Sequence, residues 1–167
     1  MDLGSYLEYE GRPAVRFVRR YPHPVSRVWA AVSEPAELAS WFPSNVAFEP
    51  REGATIHFSG DSYAEDMAGE VLIFDPPHRL SFTWGDNELH LSVVADGEGC
   101  QLTLIDVLAN RDEAARNGAG WHACLATLQI HLTGSRPSGD PDIGWRQMYE
   151  RYVAAGLPSG AEVPADL

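Results

Sequence analysis

The chain contains no lysine: all twelve of its basic side chains are arginines. That absence excludes a lysine Schiff base, a lysine general base and a P-loop lysine. Cysteine is scarce, and Cys100 and Cys124 give no disulfide framework. Two free, partly buried thiols in a reducing compartment are expected. No apolar run approaches the ~18 residues of a membrane span. The opening MDLGSYLEYEGRPAV lacks the charged-then-apolar pattern of a signal peptide, so the default location is cytoplasmic. Metal-ligand spacing is missing too. The histidines at 23, 57, 78, 90, 122 and 131 form no HxH or HxxxH pair, and there is no CxxC. Glu88 and His90 would share one strand face, but a third ligand is not evident. There is no G-x-S-x-G nucleophile elbow, and Gly97-Glu98-Gly99 reads as a hairpin turn with no helix behind it to cradle a phosphate. Neither a metal nor a cofactor is expected.

What remains is an acidic chain of 167 residues, with 24 carboxylates and a formal net charge of −12. The sign argues against nucleic acid and against anionic membranes as partners. The length suits one domain with a core large enough to need no staples.

Hydrophobic spacing divides the chain. Residues 1–13 are a polar lead-in or a short edge hairpin, and Ala14 to Tyr21 reads as a first strand. Val28, Trp29 and Val32 share a helical face. Pro35 opens a second short helix with Leu38, Trp41 and Phe42 on one side. From Asn45 the period falls to two, and alternating segments end at turn residues through Phe48, Phe58, Phe74, Trp84, Val93 and Val107. This describes an antiparallel meander with one face toward a core. From Asn117 to Gly134, Trp121, Leu125, Leu128 and Leu132 form one stripe of a long helix, which must bury itself against the sheet. A Gly/Pro/Ser linker at 135–141 leads to a last helix at about 142–155, with Trp145, Met148, Tyr149 and Tyr152 on one face. Residues 135–167 are expected to pack on the same domain, with the final residues disordered.

Five motifs, in order, resemble the START-like (helix-grip) superfamily. They are Pro24-Val25-Ser26-Arg27-Val28-Trp29, Glu34-Pro35 through Trp41-Phe42, Gly69-Glu70-Val71, Pro77-His78-Arg79-Leu80-Ser81-Phe82-Thr83-Trp84 and Gly120-Trp121. The branch they most resemble is the C-terminal domain of the activator of Hsp90 ATPase, with its stand-alone bacterial relatives. The resemblance covers residues 14–133. It implies an α+β fold in which a curved antiparallel sheet grips a long C-terminal helix, with two short helices after the first strand and a domain over 14–134. It also implies an apolar cavity between sheet and helix, and it admits a homodimer. Relatives bind lipids, sterols or polyketides, a few are cyclases or dehydratases, and one is a cochaperone. Nothing in this sequence corresponds to the additional N-terminal domain with which the eukaryotic cochaperone grips Hsp90.

Three functions follow as expectations. The first is a non-catalytic binder of a small hydrophobic molecule, its cavity lined by Trp41, Phe42, Phe58, Phe82, Trp84, Trp121, Leu125 and Leu128. Taken singly, each of these is equally a plain core residue. The second is a protein-interaction module with a chaperone or other protein partner. The third is an enzyme using His122 with a carboxylate from Glu70, Glu88 or Asp106, or with His90. The simpler expectation is that His122 lies on the helix surface without a chemical role and that the carboxylates are solvated at strand edges.

Overall fold

The computed structural model describes residues 2–167. Its strands are β1 (Ser5–Tyr9), β2 (Arg12–Tyr21), β3 (Asn45–Phe48), β4 (Thr55–Ser59), β5 (Met67–Asp75), β6 (Arg79–Trp84), β7 (Asn87–Asp96) and β8 (Gly99–Val107). They form one curved antiparallel sheet in the order β1-β2-β8-β7-β6-β5-β4-β3. Strands β3 to β8 are a meander, and β8 then returns to pair with β2. The lead-in forms the edge strand β1, turned into β2 at Glu10 and Gly11. Helices α1 (Val25–Ser33) and α2 (Pro35–Leu38) lie between β2 and β3. Helix α3 (Ala114–Thr133) and helix α4 (Trp145–Ala154) complete the helix-grip architecture.

Period-two alternation and register together build the inner face. One row crosses the sheet as Phe74, Leu80, Leu91, Leu104 and Phe17, and its neighbour as Val71, Phe82, Leu89, Asp106 and Val15. These rows are apolar except at Asp106. The predicted α3 stripe turns onto this face, with Trp121, Leu125, Leu128 and Leu132 all buried. Each fully buried leucine contributes about 1.5–3 kcal/mol of transfer free energy, so this stripe anchors α3. Gly134 ends α3 in the left-handed region (φ 79°) and donates its N–H to the Ile130 carbonyl, a conformation glycine adopts without steric cost.

The flank of α3 next to its sheet-facing stripe receives α4, whose Tyr152 also meets Phe17 of the inner row at 6.4 Å. Tyr152 is fully buried, and its ring lies 3.1 Å from where a Cβ on Gly118 would stand, so the absence of a side chain there permits the close approach. Met148 is buried beside it, while Trp145 and Tyr149 stack at 5.3 Å.

The chain after α4 is ordered, contrary to the sequence-based expectation. The Ala115 N–H donates to the Pro158 carbonyl (2.9 Å), and the Ala161 N–H to that of Asp112 (3.3 Å). Arg116 reaches the carbonyl of Glu162, and Arg146 those of Pro164 and Leu167. Main-chain hydrogen bonding supplied what the polar, proline-containing tail lacks in hydrophobic pattern.

Candidate functional site: a tryptophan-walled cavity beside helix α3

The sheet and α3 do not pack shut along their whole length. Beside the N-terminal half of α3 lies a cavity of about 470 Å³. Its apolar wall comes from Trp84 at the end of β6, Trp121 and Cys124 on α3, Trp145 opening α4 and Met67 opening β5. Exposed Tyr63 also borders it, as do Pro164 and Leu167 of the tail, and the cavity opens to the surface. Trp84 and Trp121 hold each other at 5.2 Å between ring centroids.

The polar side of the cavity is built over Asp106. Its side chain is completely buried and accepts hydrogen bonds from Trp121 Nε1 (3.0 Å), Asn117 Nδ2 (3.1 Å) and Asn87 Nδ2 (3.4 Å). Burial pushes its pKa up to about 6. The Trp121 and Asn117 donors pull against that shift, and nearby Glu113 adds to it. Asn87 also reaches Glu113 and accepts from the Ala109 N–H. Arg116 is engaged three ways, with Asn117 (3.0 Å), the Glu162 carbonyl (3.2 Å) and Glu113 (3.8 Å). These bonds fix the orientation of Trp121 and leave the polar groups mutually satisfied, as buried networks require. The Cys124 thiol is raised to about 12 by burial and by Asp61, which keeps it protonated and unreactive.

Of the eight side chains proposed from sequence, only Trp84 and Trp121 border this cavity. Trp41, Phe42, Phe58, Phe82, Leu125 and Leu128 are buried in the core. Phe42 is the hub there, with the rings of Trp41, Phe58, Phe82, Trp84 and Trp121 at 5.5–6.2 Å. Trp41 Nε1 donates to the Ala31 carbonyl, locking it into α1. In this half of the layer the aromatic rings pack against one another.

His122 is not a surface residue: it is 2% exposed. One residue beyond Trp121, it turns about 100° away from the cavity and meets Tyr152 Oη (3.0 Å) and Asp140 Oδ1 (3.0 Å). Tyr152 Oη also accepts from the Gly4 N–H at 2.8 Å, and Arg136 approaches Asp140 at 3.5 Å. Burial lowers the His122 pKa, and Asp140 partly opposes that shift. The pair borders a separate hollow of about 240 Å³ between α3 and the following segment.

The other partners suggested for His122 lie elsewhere. Glu70 is exposed on β5. Glu88 and His90 do share a strand face, at 3.2 Å, but Ser81 takes His90 Nδ1 and Arg12 pairs with Glu88. Asp106 is buried under Trp121, not solvated at a strand edge. No group of three or more His, Cys, Asp or Glu side chains among the described residues could hold a metal ion. No helix among them is long and apolar enough to cross a membrane.

Sequence reasoning did not identify Asn87, Asn117, Trp145 or Asp140 as site residues. For Asp106 a signal existed: Leu102, Leu104 and Asp106 share one parity on β8, which aims the carboxylate inward.

With this geometry established, likeness to known proteins becomes informative. A family model described as Activator of Hsp90 ATPase homolog 1-like protein matches residues 22–133. The solution structure of CalU16 from Micromonospora echinospora aligns with a TM-score of 0.71 at 23% identity, over 90% of this chain and 88% of that one. A protein encoded by gene BPP1335 of Bordetella parapertussis aligns with a TM-score of 0.69 at 26% identity, over 96% and 94%. DynU16, a protein in the dynemicin biosynthetic locus, aligns with a TM-score of 0.62 at 28% identity, over 74% of this chain and 48% of its own. No curated protein matches the sequence.

Proposed function

The chain belongs to the Activator of Hsp90 ATPase homolog 1-like family, and on that footing we propose that it is a non-catalytic protein that holds a small hydrophobic molecule in the cavity beside α3. The observation that carries this reading is the cavity itself. At about 470 Å³, walled by Trp84, Trp121 and Trp145, it falls within the ~300–1,000 Å³ typical of small-molecule sites and has their mix of apolar wall and few polar groups.

The test is native mass spectrometry of gently purified protein, paired with a thermal-shift screen of fatty acids and aromatic polyketides. A retained or stabilising molecule is expected, and Cys124→Phe, which fills the cavity from α3, should abolish its binding. If no compound raises the melting temperature, or if Cys124→Phe binds as well as the parent, the reading fails.

The family name supports a second reading, a cochaperone-like interaction module. The apolar face of α4 is turned inward through Met148 and Tyr152, so a partner would meet acidic surface instead of an exposed apolar helix. Repeated recovery of a chaperone in pull-downs, with stimulation of its ATPase, would favour this second function. The enzymatic alternative has less support. The His122–Asp140 pair faces away from the larger cavity, and each side chain is 2% exposed.

A further inference from the structure

Resting on the cavity-binding reading, we propose that the bound molecule is a cation: an aromatic or aliphatic body carrying a protonated amine, held by the tryptophan wall and by the carboxylates of Asp61 and Asp86. Charge and the groups left available both favour a cation. Three carboxylate residues and one arginine border the cavity, and a further carboxylate, Asp106, lies directly behind Trp121. The arginine does not offer itself to an anion, because its Nε, Nη1 and Nη2 face Asn117, the Glu162 carbonyl and Glu113. The amide donors are also engaged: Asn87 Nδ2 with Asp106 and Glu113, and Asn117 Nδ2 with Asp106.

A carboxylate or phosphate ligand would therefore find acceptors in place of donors, and repulsion in place of pairing. Acceptor capacity, in contrast, remains. Asp86 makes its contact to Arg12 through its main-chain carbonyl, and Asp61 uses Oδ1 for the Tyr63 N–H. Indole faces attract cations electrostatically, tryptophan most strongly. Trp84 and Trp121 meet at an interplanar angle of 59°, and Trp145 borders the same cavity from α4. Acidic residues alone would be a solvated surface. Here they rim an open, tryptophan-walled hollow whose donors are already bonded.

A matched set of probes tests this: 2-(aminomethyl)naphthalene as the cation, 2-naphthoate as the anion and 2-naphthalenemethanol as the neutral form. Binding is read by calorimetry and by shifts of the indole N–H resonances. The cation is expected to bind at least tenfold more tightly than the anion, to shift the Trp84, Trp121 and Trp145 indoles, and to weaken with added salt. The double variant Asp61→Asn, Asp86→Asn should lose most of that preference while keeping the neutral probe's affinity, since the apolar wall is intact. Equal binding of all three probes, or tighter binding of the anion, overturns the proposal and leaves the cavity reading standing. Failure of all three to bind, or shifts confined to residues outside the cavity, overturns both.

Discussion

Two buried polar clusters flank α3, and they are built on opposite principles. Toward the sheet, Asp106 is an acid surrounded by neutral donors, with no cation in contact. Toward α4, His122 is a base kept uncharged by burial, joined to a phenol and a carboxylate. The first holds the tryptophan that walls the cavity. The second ties the segment after α3 and the chain start to the helix, through Asp140 and through Tyr152 with Gly4. Adjacent residues on one helix, Trp121 and His122, thus serve different jobs, because 100° of rotation per residue assigns them to different neighbours.

The Asp106 cluster is disrupted most severely by Trp121→Ala. It removes a buried aromatic and one of the Asp106 donors, and should cost about 3–5 kcal/mol in urea unfolding. Tyr152→Phe comes next. It removes one oxygen that serves both the Gly4 N–H and His122, leaving two buried partners unsatisfied, and should cost about 2 kcal/mol.

The pH responses then separate the clusters by sign. Asp106 has a folded pKa near 6, above its unfolded value, so its contribution to stability is complete below about pH 4 and is lost as pH rises through 6. Asp106→Asn should flatten the melting-temperature profile in that window. His122 titrates lower when folded than when unfolded, so its contribution is complete above its ordinary value of 6.5 and is lost as pH falls below that. His122→Gln should flatten the acid limb, and amide protection factors in α4 should fall at pH 5 in the parent but not in the variant. The smallest effect, under about 0.5 kcal/mol, is expected for Arg20→Ala, which breaks an exposed ion pair with Asp96 and touches neither cluster.

Periodicity made much of the fold readable. Alternation located β3 to β8, and the 3.6-residue spacing located α3 with its inward face, since both are local consequences of which side must leave water. Volume is not local. Nothing in the spacing of Phe42, Phe58 and Phe82 distinguishes a wall from a filling, and their rings prove to pack against one another. Trp84 and Trp121 share that chemistry but stand at the end of the layer, where Asn117 and Gly120 border the same cavity. The partners of His122 were out of reach for a related reason. Tyr152 lies 30 residues away and Asp140 lies 18 away, in segments whose docking follows from tertiary packing.

The hydrogen bonds that seat the last ten residues have a property in common: the tail takes part in each through main-chain atoms, whether as the carbonyls of Pro158, Glu162, Pro164 and Leu167 or as the N–H of Ala161. Such a seat is indifferent to the identity of the side chains it carries. Pro164 and Leu167 can therefore be exchanged for other residues with little movement of the segment, which makes this edge of the cavity the part of its border most tolerant of substitution.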